Sequence, residues 1–352
     1  MKALVWHDRG DLRIEDIPEP PDPGPGEAVV QVAFCGICGT DIHEYTDGPV
    51  LIRTRPHPLT GAVPPLALGH ELSGRVVALG SPVEGLDTDA RVTVDPCWTC
   101  GICYWCRRGE YHICKLGGAV GLASNGALAE YVTVPLSGLV PLPSNVDDRI
   151  GALVEPLAVG LHAVTRGGVR PGDNVLISGF GPIGAAVLLS AVVAGAATVL
   201  VSEPLPGRQA SALTLGATDV LDPGELDVRR EAFRRTGGIG PDVVFECSGV
   251  PALLPAAIST VRRGGRVVVT TVGHGAGEVK TNDVVLYERT VIGSLGYQHD
   301  LPRVVDLLAT GRLSADALVT SVVPLEEAVA GAFDVLVADR GSQLKVLVEV
   351  GG

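Results

Sequence analysis

The chain has 352 residues, a formal net charge of −13 and 46% apolar residues. This length suffices for two domains with separate hydrophobic cores. The net negative charge disfavours binding to nucleic acid or to anionic membranes, so we expect neither partner. Met1 to Trp6 lead into charged residues without a long apolar stretch, so we expect no secretory signal and a cytoplasmic protein.

The first part of the chain is patterned as β-strands separated by turns. Strand-like runs occur at 29–34, 72–80 and 128–134, and a proline-rich excursion from Tyr45 to Pro65 separates the first two. A cysteine-rich loop lies at 97–118. This pattern predicts an all-β first half.

From Val175 onward, predicted strands alternate with predicted helices. The strands are 175–178, 198–202, 242–247 and 266–271, and the helices begin at Ile183, Arg208 and Ala252. Such alternation predicts an α/β fold with a doubly wound parallel sheet. The tail is patterned as helices at 301–310 and 325–337 and a strand at 344–350. It either extends this sheet or folds back on the first half.

One stretch, Gly184 to Val201, is nearly uncharged and 18 residues long, which meets the bare criterion for a membrane span. However, Gly195 interrupts it as a helix cap would, and the β-branched run Thr198 to Val201 follows. The stretch is therefore predicted to be a helix followed by a buried strand.

The sequence GFGPIG at 179–184 matches the dinucleotide pattern GxGxxG, directly after a predicted strand and at the start of an apolar helix. Glu203 ends the next strand, where a carboxylate accepts hydrogen bonds from the adenosine ribose. A 2′-phosphate about 4 Å away would cost about 4 kcal/mol at an effective dielectric of 20, which favours NAD over NADP. The predicted cofactor-binding residues are Gly179, Gly181, Pro182, Ile183, Gly184, Glu203 and Arg208.

Four cysteines at spacings typical of a closed tetrahedral zinc site occur in the cysteine-rich loop: Cys100, Cys103, Cys106 and Cys114. Four thiolates leave no open position, so the site is predicted to stabilise a lobe of the protein. Cys97 leaves a second register open, because it continues the regular series. A redox role and a DNA-binding zinc ribbon are the weaker interpretations, the second because of the acidic net charge.

A second possible metal site is dispersed along the chain. Its candidate ligands are Cys38, His70 and Glu155, with Glu71 next to His70. Taken singly, each has a structural interpretation. Cys35 and Cys38 could form a redox pair, His70 could be a buried core histidine, and Glu155 could cap a helix.

Together these motifs resemble the zinc-dependent medium-chain alcohol and polyol dehydrogenases over essentially the whole chain. The motifs are CGTD at 38–41, GHE at 69–71, the four-cysteine loop, VEPL at 154–157 and the phosphate loop at 179–184. Glu155, where the alcohol dehydrogenase branch has cysteine, indicates the polyol branch. Asp47–Pro49, Pro56–Gly61 and Ser202–Pro204 look like the 2,3-butanediol (acetoin) dehydrogenases, with sorbitol and threonine dehydrogenases as the nearest competitors.

The resemblance implies a fold of two parts. A β-rich GroES-like catalytic domain would comprise 1–157 and 298–352 and would carry both zinc sites. A Rossmann domain that binds NAD would comprise 158–297. The family also implies a homodimer or homotetramer.

The resemblance also implies the roles of single residues. Cys38, His70 and Glu155 would hold a catalytic zinc, with Glu71 as an outer or exchanging ligand, and Thr40 and His43 would pass the alcohol proton to solvent. The expected reaction is reversible hydride transfer between NAD and a zinc-bound secondary alcohol, a vicinal diol such as 2,3-butanediol, with acetoin as the substrate in reverse. A sensor that binds zinc and dinucleotide without turnover is the alternative of another class.

Overall fold

The computed structural model describes residues 1–82, 84–272, 275–339, 341 and 343–351. The chain divides into two compact units. The first unit comprises Met1–Glu155, Leu301–Thr310 and Val319–Gly352, and the second comprises Pro156–Asp300 and Gly311–Leu318. Residues 311–318, which the sequence-based division assigns to the first part, therefore pack with the second unit.

The secondary structure of the described residues is mixed. The strands are β1 (Lys2–Asp8), β2 (Asp11–Asp16), β3 (Glu27–Gly36), β4 (Leu66–Ala67), β5 (Glu71–Leu79), β6 (Arg91–Val94), β7 (Cys97–Trp98), β8 (Gly118–Ala119), β9 (Tyr131–Pro135), β10 (Leu139–Pro141), β11 (Asn174–Ser178), β12 (Thr198–Ser202), β13 (Asp219–Leu221), β14 (Val243–Glu246), β15 (Arg266–Val269), β16 (Thr290–Gly293), β17 (Val319–Pro324) and β18 (Lys345–Glu349). The helices are α1 (Gly39–Asp47), α2 (Asp148–Gly151), α3 (Val154–Gly167), α4 (Pro182–Val193), α5 (Pro206–Thr214), α6 (Val228–Arg235), α7 (Leu253–Thr260), α8 (Thr281–Val285), α9 (Leu301–Ala309) and α10 (Asp334–Ala338). Single 3₁₀ turns lie at Cys106–Arg108, Tyr111–Ile113, Leu136–Gly138, Asp316–Leu318 and Leu325–Glu327, and a π-helical stretch lies at Ala328–Phe333.

The first unit is built around a largely antiparallel sheet of order β10-β6-β5-β3-β18-β17, with β9 also paired to β3. Its register positions the candidate metal ligands. Gly36 at the end of β3 lies opposite Glu71 of β5 on one side and Leu347 of β18 on the other. The ends of three strands thus meet where the ligands are expected. The tail strand β18 pairs with the first half of the chain, which decides between the two predicted placements.

The first half is not all-β, and that expectation was wrong for residues 39–47. These residues form α1 because a local cap stabilises its first turn. The Cys38 N–H donates a 2.9 Å hydrogen bond to Asp41 Oδ2, which satisfies one backbone donor that would otherwise lack a partner. Strand patterning does not detect a short helix of this kind, whose sequence is mostly polar.

The second unit contains a parallel sheet of order β13-β12-β11-β14-β15-β16. Its core includes Leu176, Val244 and Val267, each at most 2% exposed. The predicted α/β fold with a Rossmann-type sheet is confirmed. The apolar stretch from Gly184 belongs to α4 and then β12, as predicted. In the part of the chain that the structure describes, no helix combines the length and apolarity needed to span a membrane.

Candidate functional site

The structure brings together the four cysteines that the spacing selects. Their sulfurs lie 3.5 Å (Cys103 to Cys106 and Cys114 to Cys100), 3.9 Å (Cys100 to Cys106) and 4.0 Å (Cys103 to Cys114) apart. Four sulfurs at about 2.3 Å from a central zinc would be separated by about 3.8 Å in a tetrahedron. The observed spacing therefore fits a tetrahedral zinc ion.

Backbone amides are directed at this sulfur cluster. The Cys100 N–H donates to Cys114 Sγ and the Cys103 N–H donates to Cys100 Sγ, each at 3.4 Å. Backbone N–H groups, chiefly that of Cys106, lower the pKa of Cys103 to about 6. Such donors favour the thiolate, which is the form that binds metal.

Cys97 lies outside this group of four. It belongs to β7, which pairs with β8 at the base of the loop, and its N–H donates to Asp95 Oδ1 at 3.1 Å. Of the two registers that the sequence left open, the geometry favours the one that ends at Cys114.

A second donor group forms in the first unit. A sulfur of Cys38, a ring nitrogen of His70 and a carboxylate oxygen of Glu71 all lie within 4.8 Å of one another. One soft sulfur, one imidazole and one carboxylate form a donor set that zinc accepts. The set is also sheltered, because His70 is 6% exposed and Glu71 is 1% exposed.

Glu155 lies near this group but is not one of the three donors within that distance. It occupies the first turn of α3, is 7% exposed, and its charge contributes to raising the pKa of His70. The structure thus groups Glu71 with Cys38 and His70, whereas the prediction named Glu155 as the third ligand. The choice between the two carboxylates stays a prediction.

Asp41 is a site residue that sequence reasoning missed. It is fully buried, and its Oδ1 lies 3.6 Å from Nδ1 of His70. Burial opposes a charged His70, but the negative charges of Asp41 and Cys38 raise its pKa well above the ordinary value. A carboxylate behind a metal-binding histidine fixes the orientation of the ring and increases its basicity. The CGTD motif contains this aspartate, but the sequence analysis assigned it no role.

Lys345 is the second missed residue. Its Nζ donates to both carboxylate oxygens of Glu71, at 2.8 and 2.7 Å, and to the Ile37 carbonyl at 3.0 Å. Burial alone would lower the pKa of Lys345, but the charges of Glu71 and Cys38 raise it. A lysine directly before the apolar run Val346–Val348 of β18 was the available signal. Only the fold shows that it meets Glu71, 274 residues away.

Cys35 does not support a redox pair with Cys38. It is fully buried in the core, where burial and then the charge of Asp41 raise the pKa of its thiol well above the ordinary value. A thiol in this environment stays protonated and is a poor nucleophile. Cys35 therefore acts as a core residue.

The predicted proton-transfer residues lie one turn apart on α1. Thr40 Oγ1 is 3.6 Å from Cys38 Sγ, so its hydroxyl adjoins the donor group. His43 follows three residues later, with its side chain 43% exposed and its Nδ1 3.7 Å from Asp47 Oδ2. Residues three apart are neighbours on a helix surface, so this pair extends from the donor group toward solvent.

The dinucleotide motif has the geometry that its glycines predict. Gly179 has φ of +90°, which a tight turn after β11 requires. A Cβ on Gly184 would lie 2.3 Å from the Gly179 carbonyl oxygen, so α4 can pack this closely only with glycine there. Gly181 caps α4, and a Cβ there would meet only the tip of Arg208, at 3.8 Å. The cradle is therefore open to a phosphate at the start of a helix.

Glu203 lies beside this cradle and is 3% exposed. Its oxygens accept the N–H groups of Phe180 at 2.8 Å and Leu205 at 3.0 Å, so its orientation is fixed. A carboxylate oxygen can accept more than one hydrogen bond, which leaves capacity for ribose hydroxyls. Pro182 and Ile183 form the first turn of α4, and Arg208 lies on α5.

Two family models match the chain: an alcohol dehydrogenase GroES-like domain over residues 24–144 and a zinc-binding dehydrogenase domain over residues 182–310. The (R,R)-butanediol dehydrogenase of Bacillus subtilis is 41% identical over 99% of each chain. The crystal structure of 2R,3R-butanediol dehydrogenase from the same organism matches with a TM-score of 0.92, at 40% identity and 99% coverage of both chains. A sorbitol dehydrogenase of B. subtilis is 32% identical over 93% of this chain and 91% of its own.

These similarities confirm the predicted family, the GroES-like and Rossmann fold, the oxidoreductase class and a small-molecule alcohol as the substrate. They agree with the two donor groups and the dinucleotide cradle found in the structure. The chain belongs to the zinc-binding dehydrogenase family and is a zinc-type alcohol dehydrogenase, with zinc and a nicotinamide dinucleotide as its cofactors.

Proposed function

We propose that the protein oxidises a vicinal secondary diol of the 2,3-butanediol type with NAD and reduces the corresponding hydroxyketone, acetoin, in reverse. In the forward direction the carbinol C–H bond breaks and its hydride passes to the nicotinamide, while the hydroxyl loses a proton to solvent. The observation that carries the proposal is the convergence of Cys38, His70 and Glu71 in the first unit. The 41% identity to a butanediol dehydrogenase supports this substrate class.

The donor group would hold a catalytic zinc, which when bound supplies a Lewis acid that lowers the pKa of a coordinated hydroxyl. Cys38 sits at the N-terminus of α1 and would supply the sulfur ligand. Asp41 orients His70 from behind, and Lys345 balances part of the negative charge of Glu71. Glu155 is the further carboxylate available to the ion.

Thr40 and His43 would carry the proton. The Thr40 hydroxyl, beside Cys38, can accept a hydrogen bond from the substrate hydroxyl and pass the proton on. His43 is exposed enough to exchange it with solvent. His43→Ala should then slow oxidation most at low pH, where loss of the alcohol proton is least favourable; an equal loss at every pH would contradict the relay.

Glu203 would select NAD over NADP. Its buried carboxylate is held by two backbone amides and cannot readily turn away from a 2′-phosphate. At about 4 Å the repulsion would amount to about 4 kcal/mol per charge pair at an effective dielectric of 20. Arg208, whose guanidinium lies beside Gly181, would bind phosphate oxygens of the cofactor. Comparing kcat/KM for NAD and NADP tests this preference.

A substrate panel tests the proposed reaction. NAD reduction is measured with (R,R)-2,3-butanediol, meso-2,3-butanediol, sorbitol and L-threonine, together with the zinc content per chain. We expect two zinc ions and the highest kcat/KM with a butanediol. A higher kcat/KM with sorbitol or L-threonine would instead indicate a sorbitol or threonine dehydrogenase. No turnover with any alcohol, despite bound zinc and NAD, would support the sensor alternative.

Cys38→Ser provides the matched test of the site. Loss of the sulfur donor should reduce kcat by at least about a hundredfold, since even partners behind a metal ligand are worth 10–100-fold. The affinity for NADH should persist because the dinucleotide cradle belongs to the second unit. Retained turnover would refute the role of this donor group.

We also propose a cytoplasmic homo-oligomer. Eight cysteines without a disulfide among the described residues suit a reducing compartment. At the edge of the parallel sheet, β16 and its neighbours expose apolar side chains: Val285, Leu286, Val291 and Leu295, at 70%, 68%, 42% and 53%. An exposed apolar strand edge is suited to pairing with a second copy. Light scattering after gel filtration distinguishes monomer, dimer and tetramer.

A further inference from the structure

A buried carboxylate lies at the carboxyl end of the strand next to the dinucleotide turn. Glu246 is the last residue of β14 and is 4% exposed. In the parallel register it lies beside Ser178, the last residue of β11. The reaction proposed above gives it no role, yet a buried charge is retained only where its surroundings satisfy it.

The carboxylate of Glu246 joins two loops. Its Oε1 accepts the Ser248 N–H at 2.9 Å and also the Ser248 hydroxyl. Its Oε2 accepts the hydroxyl of Thr271, which follows β15, at 3.3 Å. The Ser248 hydroxyl in turn accepts the Val250 N–H at 3.1 Å. Glu246 thus holds the loop after β14 through two hydrogen bonds from Ser248, one from its backbone N–H and one from its side-chain hydroxyl.

That loop is in direct contact with the dinucleotide turn. A Cβ on Gly179 would lie 2.8 Å from Ser248 Cα and 2.9 Å from Ser248 N and Cβ. The Cys247 N–H also donates to the Ser178 carbonyl at 2.8 Å, immediately before the turn. The backbone of Ser248 therefore packs directly against Gly179.

The sheet order explains why this contact matters. The chain runs from β11 outward to β12 and β13 and then returns to β14 on the other side of β11. Ligands of parallel α/β sheets bind beyond the carboxyl ends of the strands at such a reversal. Glu246, Ser248 and Gly179 all lie at that point.

We propose that Glu246 is a positioning residue for the dinucleotide: it holds Ser248 against Gly179 and so maintains the turn that receives the pyrophosphate. The inference rests on the proposed cofactor site and deepens it. Without the carboxylate, Ser248 loses two hydrogen bonds and the Gly179 turn loses its support. Ordering that turn on binding would then cost free energy and so weaken the affinity for the cofactor.

In this proposal, Glu246 positions Ser248 through its hydrogen bonds and not through its negative charge. In Glu246→Gln the side-chain carbonyl can still accept from Ser248, while the amide donates to the Thr271 hydroxyl, which can also accept. Glu246→Leu has a similar volume but neither acceptor. The two variants therefore separate an orienting acceptor from a charge.

The test measures Kd for NADH by nicotinamide fluorescence and Kd for ADP-ribose by calorimetry, on the full chain, at a temperature where each variant is folded. Glu246→Leu should weaken the binding of both ligands by about tenfold, as expected for lost hydrogen bonds, and Glu246→Gln by less than about threefold. KM for NAD should rise in Glu246→Leu while KM for the diol stays unchanged. A purely structural role would not split the two KM values.

Thr260→Val is the matched control. Thr260 is a buried polar residue of the same unit, 3% exposed, whose hydroxyl donates to the Ala256 carbonyl at 2.8 Å. It should lower stability without changing either Kd. Should Glu246→Leu fail to fold, Ser248→Ala removes one of the bonds and should weaken NADH by about threefold.

Wild-type affinity in Glu246→Leu, or in Ser248→Ala if that variant has to be used, would overturn the inference. A Glu246→Gln variant as weak as Glu246→Leu would also overturn it, because the charge would then be what matters. Failure of the unmodified protein to bind NADH at all would instead refute the proposed function. The two failures are therefore distinguishable.

Discussion

At the scale of single residues, the first unit buries several charges around one donor group. Asp41, Glu71 and Lys345 are each at most 3% exposed. Burying an ion costs several kcal/mol unless it is paired and hydrogen-bonded. The hydrogen-bonded pair of Lys345 with Glu71 provides that compensation, while Asp41 accepts the Cys38 N–H and lies 3.6 Å from His70.

Breaking the Lys345 pair should therefore be costly. Lys345→Met leaves the Glu71 carboxylate buried without its partner and should lower the free energy of unfolding by about 3–5 kcal/mol. Adding Glu71→Gln removes the unpaired charge and should restore more than half of that loss. Urea unfolding of the metal-free proteins measures both, so that altered zinc binding does not contribute. Additive losses in the double variant would mean that the two side chains do not interact.

At the scale of elements, short loops carry the ligands and turns that regular patterning does not describe. The 97–119 loop holds its four sulfurs between β7 and β8, with only single 3₁₀ turns inside it. Such a loop has little apolar core of its own. A tetrahedral ion would therefore supply much of its stability.

Cys114→Ser should remove one zinc per chain and lower the melting temperature by at least about 5 °C, since metal binding stabilises the folded loop. Cys97→Ser is the matched control and should keep two zinc ions, because its sulfur lies outside the group of four. Metal analysis and thermal unfolding of both variants decide the matter. Loss of zinc from Cys97→Ser, but not from Cys114→Ser, would reverse the assignment.

The phosphate turn offers a test in which stability and binding separate. Gly181 has φ of −84°, and a Cβ there meets only the tip of Arg208, so alanine fits the protein without cofactor. Gly181→Ala should leave the melting temperature unchanged but weaken NADH by at least about tenfold, because the methyl group occupies the approach of the pyrophosphate. Equal NADH affinity would show that the pyrophosphate lies elsewhere.

The proline-rich excursion is fixed by His57, which is 5% exposed and accepts the Leu59 N–H at Nδ1, at 3.4 Å. Burial lowers the pKa of His57, although the backbone of Gly117 opposes this. The folded state then binds fewer protons than the unfolded chain just below the ordinary histidine pKa of about 6.5. The contribution of His57 to stability is therefore complete above about pH 6.5 and is lost as the pH falls toward its folded pKa.

His57→Gln should consequently show a smaller decrease in the free energy of unfolding between pH 6.5 and 5 than the unmodified protein. Denaturant unfolding over that range measures the difference, and the other histidines cancel in the comparison. Parallel pH profiles would mean that His57 titrates alike in the folded and unfolded states.

At the scale of the whole molecule, the two units have separate cores, and each carries one of the two groups of residues that the reaction needs. The metal donors belong to the first unit and the dinucleotide cradle to the second. Each unit can therefore bind its own group. A reaction that needs both groups requires the whole chain.

Removal of metal should separate these two functions. Prolonged treatment with a zinc chelator should abolish turnover, while the Kd for NADH stays unchanged as long as the protein remains folded. Activity should return on adding zinc. Fluorescence titration before and after treatment checks the binding, and a loss of NADH affinity parallel to the loss of zinc would show that the two sites depend on each other.

The sequence alone determined the features whose information is local. The GxGxxG turn, the cysteine spacing and the alternation of strands and helices each lie within a short segment, so backbone geometry and ligand spacing can be derived there. The helix after Cys38 was missed, because an apolar period is not what stabilises it.

Only the tertiary structure decided which distant groups meet. It placed β18 beside β3, and thereby Lys345 next to Glu71, and it brought Glu71 within 4.8 Å of Cys38 and His70. It also placed Glu246 behind the dinucleotide turn. Strand order and register, which bring together residues hundreds of positions apart, depend on how both cores pack. Strand order and register therefore cannot be derived from any local sequence pattern.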